Sequence, residues 1–451
     1  MAKRQYFPQF KVTLFQVAEG RSATYDITDW FGEGCSIHTH KSVREPAGQF
    51  QLVVLDKKHE WPDGDHSVYT RVAPMDVIEI RATHDGSQGA TKLIMRGFVS
   101  DVRRDESMGG DGKPVRRVTI SGQDIGKLML IHMIHFYPVA KEKSLVLNGY
   151  GVLIKYFGPS PKPYQANEFA ATFADIMNEH LDSLLSDSDL YGLQISAQPL
   201  IDGIVPAPFA AALENMTFYQ AMCNLLDVGP FHELFTEDND DGADLIVREN
   251  FTGDEGITFT TDDVVAASVF RSDAQVSNWF YAFPRAGGLQ EQITLMMVAD
   301  KCINNANARE VESCKEDVYG WRKMQVNFSL YPPQHGDESA PLEDEYKTNQ
   351  TSVLEWTNEK TLKLRLMNYK NAQLEHGRFR IRGNEEAKAG TWATLNKGDV
   401  VDRYYIVSVG QEISFYGGWT TTLEMERGDG YETRKDAGLY REELNLSGAI
   451  E

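Results

Sequence analysis

The sequence predicts a mainly β protein with α insertions, built from two similar closed β units, and three observations point there. Short runs with alternating polarity fill Phe10 to Leu130; a comparable set returns, with a large interruption, across Phe231 to Arg427; and Gly-rich turns join neighbouring runs. Two similar units in one polypeptide suggest a protein that builds symmetry.

In the first unit Phe10 to Phe15 alternates cleanly, Tyr25 to Trp30 reads as a strand entering a turn, and Phe50 to Leu55 is a third strand. Met75 to Arg81 runs into the turn His84 to Gly89. Leu93 to Arg104, the Gly-rich turn Asp105 to Lys113 and Val115 to Gly122 complete a hairpin. That strand density is expected of a barrel or sandwich. A helix-like segment, Asp124 to Leu130, then leaves the sheet. Phe169, Phe173, Ile176, Met177, His180, Leu181 and Leu184 fall at helical spacing on one apolar face. Thr217 with Gln220 matches a capping box, and Gly229-Pro230 is the expected stop of the helix it opens.

The second unit is expected to start with the hairpin Phe231 to Phe235 and Asp244 to Arg248, and to continue through the strands Val264 to Arg271 and Val276 to Phe283. An insertion from Gly287 to about Leu374 breaks it, with a strand over Met324 to Leu330, a loop around Pro332-Pro333 to Pro341, and a helix from Val353 to Leu374 that ends at Gly377. Strands resume over Gly377 to Gly383, Arg403 to Val409 and Gln411 to Phe415, and Trp419 to Met425 pairs back as a hairpin. The expected domains are 1–130, a helical and mixed region 131–230, a second β unit from 231–286 and 375–428, a mixed insertion 287–374, and a charged extension 429–451.

Length and composition fit a globular chain of about two to four domains. No run approaches the eighteen apolar residues that a membrane helix needs, so no membrane insertion is expected. The amino terminus has Lys3 and Arg4 but no apolar stretch behind them, which predicts cytoplasmic synthesis. Cys35, Cys223, Cys302 and Cys314 stand singly and read as free thiols. A net charge of −21 argues against binding nucleic acid through its phosphates. It suits a conduit that nucleic acid slides past.

Few residues suggest chemistry. Glu237 to Gly242 has the acidic spacing of a calcium loop, but its twelfth position is Arg248, where a bidentate Glu is required, so an acidic hairpin turn is the better reading. His38 and His40 share a strand face near Cys35 and would bind zinc only if further ligands arrived. His132 and His135 lie in an apolar stretch typical of buried or interface histidines. No Gly-x-Ser-x-Gly, His-Glu-x-x-His or phosphate-loop motif occurs. Carboxylate pairs among 66 acidic residues carry no weight. Catalytic, cofactor and metal residues are therefore expected to be none, and the chain is expected not to be an enzyme. Arg103-Arg104 and Arg116-Arg117 are expected to face each other across the hairpin, either meeting an acidic partner or lying solvated.

Three segments carry a resemblance. Gly97 to Val102 followed by Val118 to Leu128, Phe270 to Asn278, and Tyr404 to Val409 with Thr420 to Gly428 resemble, in that order, segments of the baseplate hub proteins of contractile-tailed bacteriophages. This Mu-like hub and late-control protein group is related to the first part of type VI secretion spikes. The resemblance covers about half the chain and leaves 131–230 and 287–374 unmatched. It implies two tube-type β-barrels per chain and a homotrimer whose six barrels form a pseudo-six-fold ring. Such a ring joins a hexameric tail tube to a trimeric spike and touches other baseplate proteins (wedge, tape measure). DNA passes through its lumen without specific binding. The implied location is the tail baseplate of a virion assembled in the host cytoplasm. A carbohydrate-binding adhesin, using tryptophans such as Trp279, Trp392 and Trp419, and a tail-associated peptidoglycan hydrolase are the alternatives.

Overall fold

The computed structural model describes residues 8–17, 22–61, 64–85, 91–108, 114–134, 164–205, 216–285, 316–330, 342–368, 370–398, 400–414, 418–431 and 433, with backbone alone at 164, 204, 316 and 342–354. It is mainly β with a few helices.

The first unit contains β1 (Gln9–Gln16), β2 (Ala23–Asp26), β3 (Ser36–Ser42), β4 (Gln49–Leu55), the small hairpin β5 (Lys58–Trp61) and β6 (Gly64–Ser67), β7 (Val77–Thr83), β8 (Lys92–Met108) and β9 (Pro114–Asp124). A middle region follows with β10 (Tyr164–Gln165), the helix Ala166–Leu185, β11 (Gln194–Leu200), β12 (Ile204–Val205), the helix Phe218–Leu225, β13 (His232–Asn239) and β14 (Gly242–Glu249). The remaining strands are β15 (Glu255–Thr260), β16 (Val264–Phe270), β17 (Trp279–Pro284), β18 (Lys323–Phe328), β19 (Glu375–Arg382), β20 (Trp392–Lys397), β21 (Val400–Ser414) and β22 (Gly418–Gly428).

Two sets of six strands repeat one topology. In the first, spatial order is β1-β7-β8-β9-β4-β3; in the second it is β15-β20-β21-β22-β19-β16. Numbered along the chain, both read first, fourth, fifth, sixth, third, second. The correspondence extends to one irregularity, while the slips in β7·β8, β16·β19 and β19·β22 are not shared. The β8·β9 ladder slips by one residue between Val99 and Asp101, and the β21·β22 ladder slips between Ile406 and Ser408. A bulge fixes local twist and bend, so sharing one fixes the alignment residue by residue. Phe98 corresponds to Tyr405 and Asp101 to Ser408; carried across the next two ladders, Thr39 corresponds to Val269. One pairing differs: β1 meets β7 antiparallel, whereas β15 meets β20 parallel. Among the described residues no pairing closes either set into a cylinder.

The strand directions sort the connections. Met108 with Pro114, and Ser414 with Gly418, lie at one end of the strands, because each pair is opposed in an antiparallel ladder. At the opposite end lie the exits of β9 and β22 and the link from second to third strand. That link is 43–48 in the first set and 271–374 in the second.

Several sequence expectations change here. The hairpin β13·β14, expected to open the second β unit, instead joins β11 in a separate three-stranded sheet, and β17 pairs in parallel with β18 in another. Local alternation marks a strand but not its partners. The helix over Phe218–Leu225 has the expected capping box, yet it stops before Gly229. Asp227 takes a left-handed φ of 53°, and its carboxylate accepts from the amides of Ser329 and Leu330. The inserted helix runs Leu342–Met367 rather than to Gly377; Lys370, at φ 62°, turns the chain, and Gly377 already belongs to β19.

Each layer has its own core. Val12, Leu14, Leu52 and Ile80 fill the first set, Phe259, Phe379 and Leu423 the second, and Phe169, Phe173 and Phe218 the middle region. Phe231 and Phe280 anchor a smaller cluster under the insertion.

Candidate functional site

The two six-strand sets meet edge to edge. β3 pairs antiparallel with the far half of β21, from Ser36 opposite Ser414 to Ser42 opposite Ser408, so both sets belong to one thirteen-stranded sheet. Alternation makes one face of this joint apolar and one polar. Ile37 and Thr39 are buried, and Ile413 and Trp419 of the second set enter the core of the first. Gln411, opposite Thr39, accepts from Trp419 Nε1 at 2.8 Å and from Thr421 Oγ1 at 2.6 Å.

His38 and His40 occupy the polar face, as their spacing predicted. His38 Nε2 lies 3.2 Å from Ser36 Oγ and His40 Nδ1 lies 3.5 Å from Glu45. Cys35 is turned inward, its Sγ 3.9 Å from the Trp30 carbonyl oxygen. Among the described residues no three of His, Cys, Asp and Glu converge as metal ligands would.

β13 braces the joint from behind, with a charged cluster at each end. At one end Lys41 Nζ lies 2.8 Å from Asp238 and 3.3 Å from Asp124, all three nearly or wholly buried. Arg96 adds a fork onto Glu79 at 2.6 and 2.9 Å, donates to the Asn239 carbonyl, and its amide donates to Asp238. Burial alone would depress the Lys41 ammonium, but Asp238 and Asp124 outweigh it and hold its pKa well above the usual value. Burial raises Asp124; Lys41 pulls it back, and the second carboxylate pushes it up again, since two acids share one cation. At the other end Tyr405 donates to Glu233 at 2.6 Å, and Arg248 Nε donates to the same carboxylate at 2.6 Å and reaches the Gly390 carbonyl. Burial raises Glu233, against the pull of Arg248. Thus one strand is ion-paired to the first six-strand set and hydrogen-bonded to the second.

The acidic run that resembled a calcium loop is this brace. It forms the β13·β14 hairpin; Asp238 pairs with Lys41, Asp240 with Arg81, and Glu237 with Lys388. Gly242, at φ +145°, lies where a Cβ would collide with the Gln194 carbonyl, so the hairpin and β11 approach closely.

The arginine pairs do not face each other. Glu106 stands opposite Arg116 and Asp105 opposite Arg117, while Arg104 reaches buried Asp56 at 2.9 Å. Opposite charges across a ladder stabilise it where like charges would not. His132 packs between His180 and Phe218, and burial, aided by His180, lowers its pKa to about 4. His135, Cys302 and Cys314 lie outside the described residues. Trp419 is buried, Trp392 packs on Tyr405 beneath Arg403, and Trp279 lies 4.5 Å from Trp321. A cleft of about 380 Å³ lies beside Arg427 and His376, where Arg44 is already paired with Glu426 at 2.6 Å.

Sequence reasoning missed Lys41, Asp124 and Glu233. They sit singly in alternating strands, and only the apolar-face position of Asp124, two residues beyond Gly122, set it apart as a charge facing inward.

No protein-family model matches the chain, and no curated relative matches it by sequence. Among solved structures it is similar to a tail protein from Neisseria meningitidis MC58, at 10% identity and TM-score 0.50 over 94% of this chain and 98% of that one. It is also similar to the 43 kDa tail protein of prophage MuSo2 from Shewanella oneidensis, at 12% identity and TM-score 0.48 over 92% and 98%. The E. coli c3393 protein, a type VI secretion component, matches at 8% identity and TM-score 0.39 over 87% and 73%. At such identities the likeness is one of architecture: this chain has the fold of the Neisseria tail protein.

Proposed function

We propose that this chain is the structural hub of a contractile phage-tail baseplate, a homotrimer in which six similar β units form a pseudo-six-fold ring. The observation that carries the reading is the duplication: one six-strand topology, with one bulge, occurs twice and is joined edge to edge in a single sheet. Three such chains imitate a hexagon, which suits a hexameric tube on one side and a trimeric spike on the other. Joined edge to edge around the ring, the six units would leave few free sheet edges. The tail fold of the Neisseria protein supports the setting, a virion tail assembled in the host cytoplasm with other baseplate proteins alongside. An acidic chain of net charge −21 supports a lumen through which DNA passes unbound. The role is structural rather than enzymatic. As domains we propose 1–130, 131–250 including the brace hairpin, 251–271 with 375–428, the insertion 272–374, and the extension 429–451.

Native mass measurement tests the ring. Three chains of 50.8 kDa are expected, and a chain that stays single at high concentration overturns the reading.

A further inference from the structure

The duplication says where the next copy attaches. β3 has two neighbours, β4 and the far half of β21. Its counterpart β16 has one, β19, and among the described residues its other edge pairs with nothing. The counterpart of β21 is β8, whose near half pairs with β7 and whose far half, from Asp101 to Met108, pairs only with β9. Each chain therefore contains one complete joint and the two separate halves of a second.

β16 also has the wrong composition for a strand facing water. Its sequence is Val-Val-Ala-Ala-Ser-Val-Phe, yet six of its seven residues are exposed, Val265 at 57% and Phe270 at 58%. Edge strands left in solvent are ordinarily blunted with charge, proline or bulges, and an apolar one is a template for another chain.

We propose that β16 of one copy pairs antiparallel with the far half of β8 of the next, in the register that the β3·β21 ladder prescribes. This rests on the ring reading above. Substituting equivalent residues puts Ser272 opposite Asp101, Phe270 opposite Arg103, Val269 opposite Arg104, Ser268 opposite Asp105 and Ala266 opposite Ser107. No like charges meet in this register, and Phe270 receives the flat cation of Arg103. The contact is heterologous, so it generates a closed ring or an open filament according to the angle between copies. The internal joint supplies half of that angle already. A cyclic arrangement that repeats the β3·β21 geometry at every seam closes when the six sets return to the start.

The test is a disulfide across the proposed seam. The chain carrying Asp105→Cys and Ser268→Cys, oxidised with diamide, is expected to give covalent species up to the trimer and none larger. The two single variants mixed are expected to stop at the dimer. Asp105→Cys with Ala266→Cys, slipped by two residues, places the sulfur-bearing carbons beyond disulfide reach and is expected to cross-link at least about fivefold less. A trimer by native mass that shows no bond at 105 and 268, or bonds equally in the slipped pair, overturns the ladder and leaves the ring standing. Single copies at every concentration overturn the ring, and the ladder with it. Protection of the β16 amides from hydrogen exchange in the unsubstituted trimer, lost on dilution to single copies, is the second expected result; exchange at solvent rates within a trimer counts against the ladder.

Discussion

β3 and β16 hold the same place in two copies of one topology, yet their outer edges differ. β3 lies under a partner strand and carries His38, His40 and Lys41, whereas β16 lies open and carries Val265, Val269 and Phe270. The covered strand is polar and the open one apolar, the reverse of what solvent alone would select. The difference teaches that a seam inside a chain is held by covalent continuity and by the β13 brace, so its strands are free to use charge. A seam between chains must supply its own apolar driving force.

The largest effect is expected where the brace meets the joint. Lys41→Met leaves the carboxylates of Asp124 and Asp238 buried without their cation, and about 3–5 kcal/mol of unfolding free energy is expected to go, measured by urea titration. Arg271→Met at the corresponding position, one residue beyond β16, is expected to change stability by less than about 1 kcal/mol. Equal costs at the two sites would break the comparison.

Tyr405 and Phe98 are also counterparts, and only Tyr405 donates to Glu233. Tyr405→Phe gives the second set the residue of the first and is expected to cost about 1.5–3 kcal/mol in thermal or chemical unfolding, because a buried carboxylate loses a donor.

The brace should also be acid-sensitive. Burial, reinforced by the charge of Lys360, lowers His232 to about 3, and its Nδ1 lies 2.7 Å from the Leu226 carbonyl oxygen. The folded pKa is below the unfolded one near 6.5, so this contribution is complete above pH 6.5 and is lost as pH falls through that value toward 3. A slope approaching about 1.4 kcal/mol per pH unit is expected across that window, and His232→Asn should flatten it.

The smallest effect on folding is expected at Val269→Lys, within about 0.5 kcal/mol, since the side chain is already exposed. The same variant is expected to abolish the trimer in native mass, where a charge on an apolar edge blocks strand pairing.

Much of the fold was legible. Alternation located β1, β2, β4, β7, β8, β9, β16, β19 and the closing hairpin, whereas β3 was read only as a face carrying His38 and His40; helical spacing located the helix Ala166–Leu185; and Thr217 with Gln220 marked the start of the next helix. What local pattern did not carry was partnership. Phe231 to Phe235 reads like any strand of the second set, and its place in a separate sheet depends on its hairpin partner β14 lying beside β11, where Gly242 admits the Gln194 carbonyl, a contact between residues distant in sequence. The long strand β21 read as two pieces because Gly410 interrupts it, although no turn forms there. The charged clusters were hidden for the same reason: Lys41, Asp124 and Asp238 look like solvated residues until three separate strands bring them together.

The unequal links between second and third strands have one more consequence. Residues 43–48 make this passage in the first set and 271–374 in the second, and the middle region also departs from that end of the strands. In the proposed ring, the long passage and the middle region would therefore crown one rim three times, alternating with the short passage 43–48. That rim reads as a triangle over a sheet that repeats six times, and no third component is needed to convert one into the other.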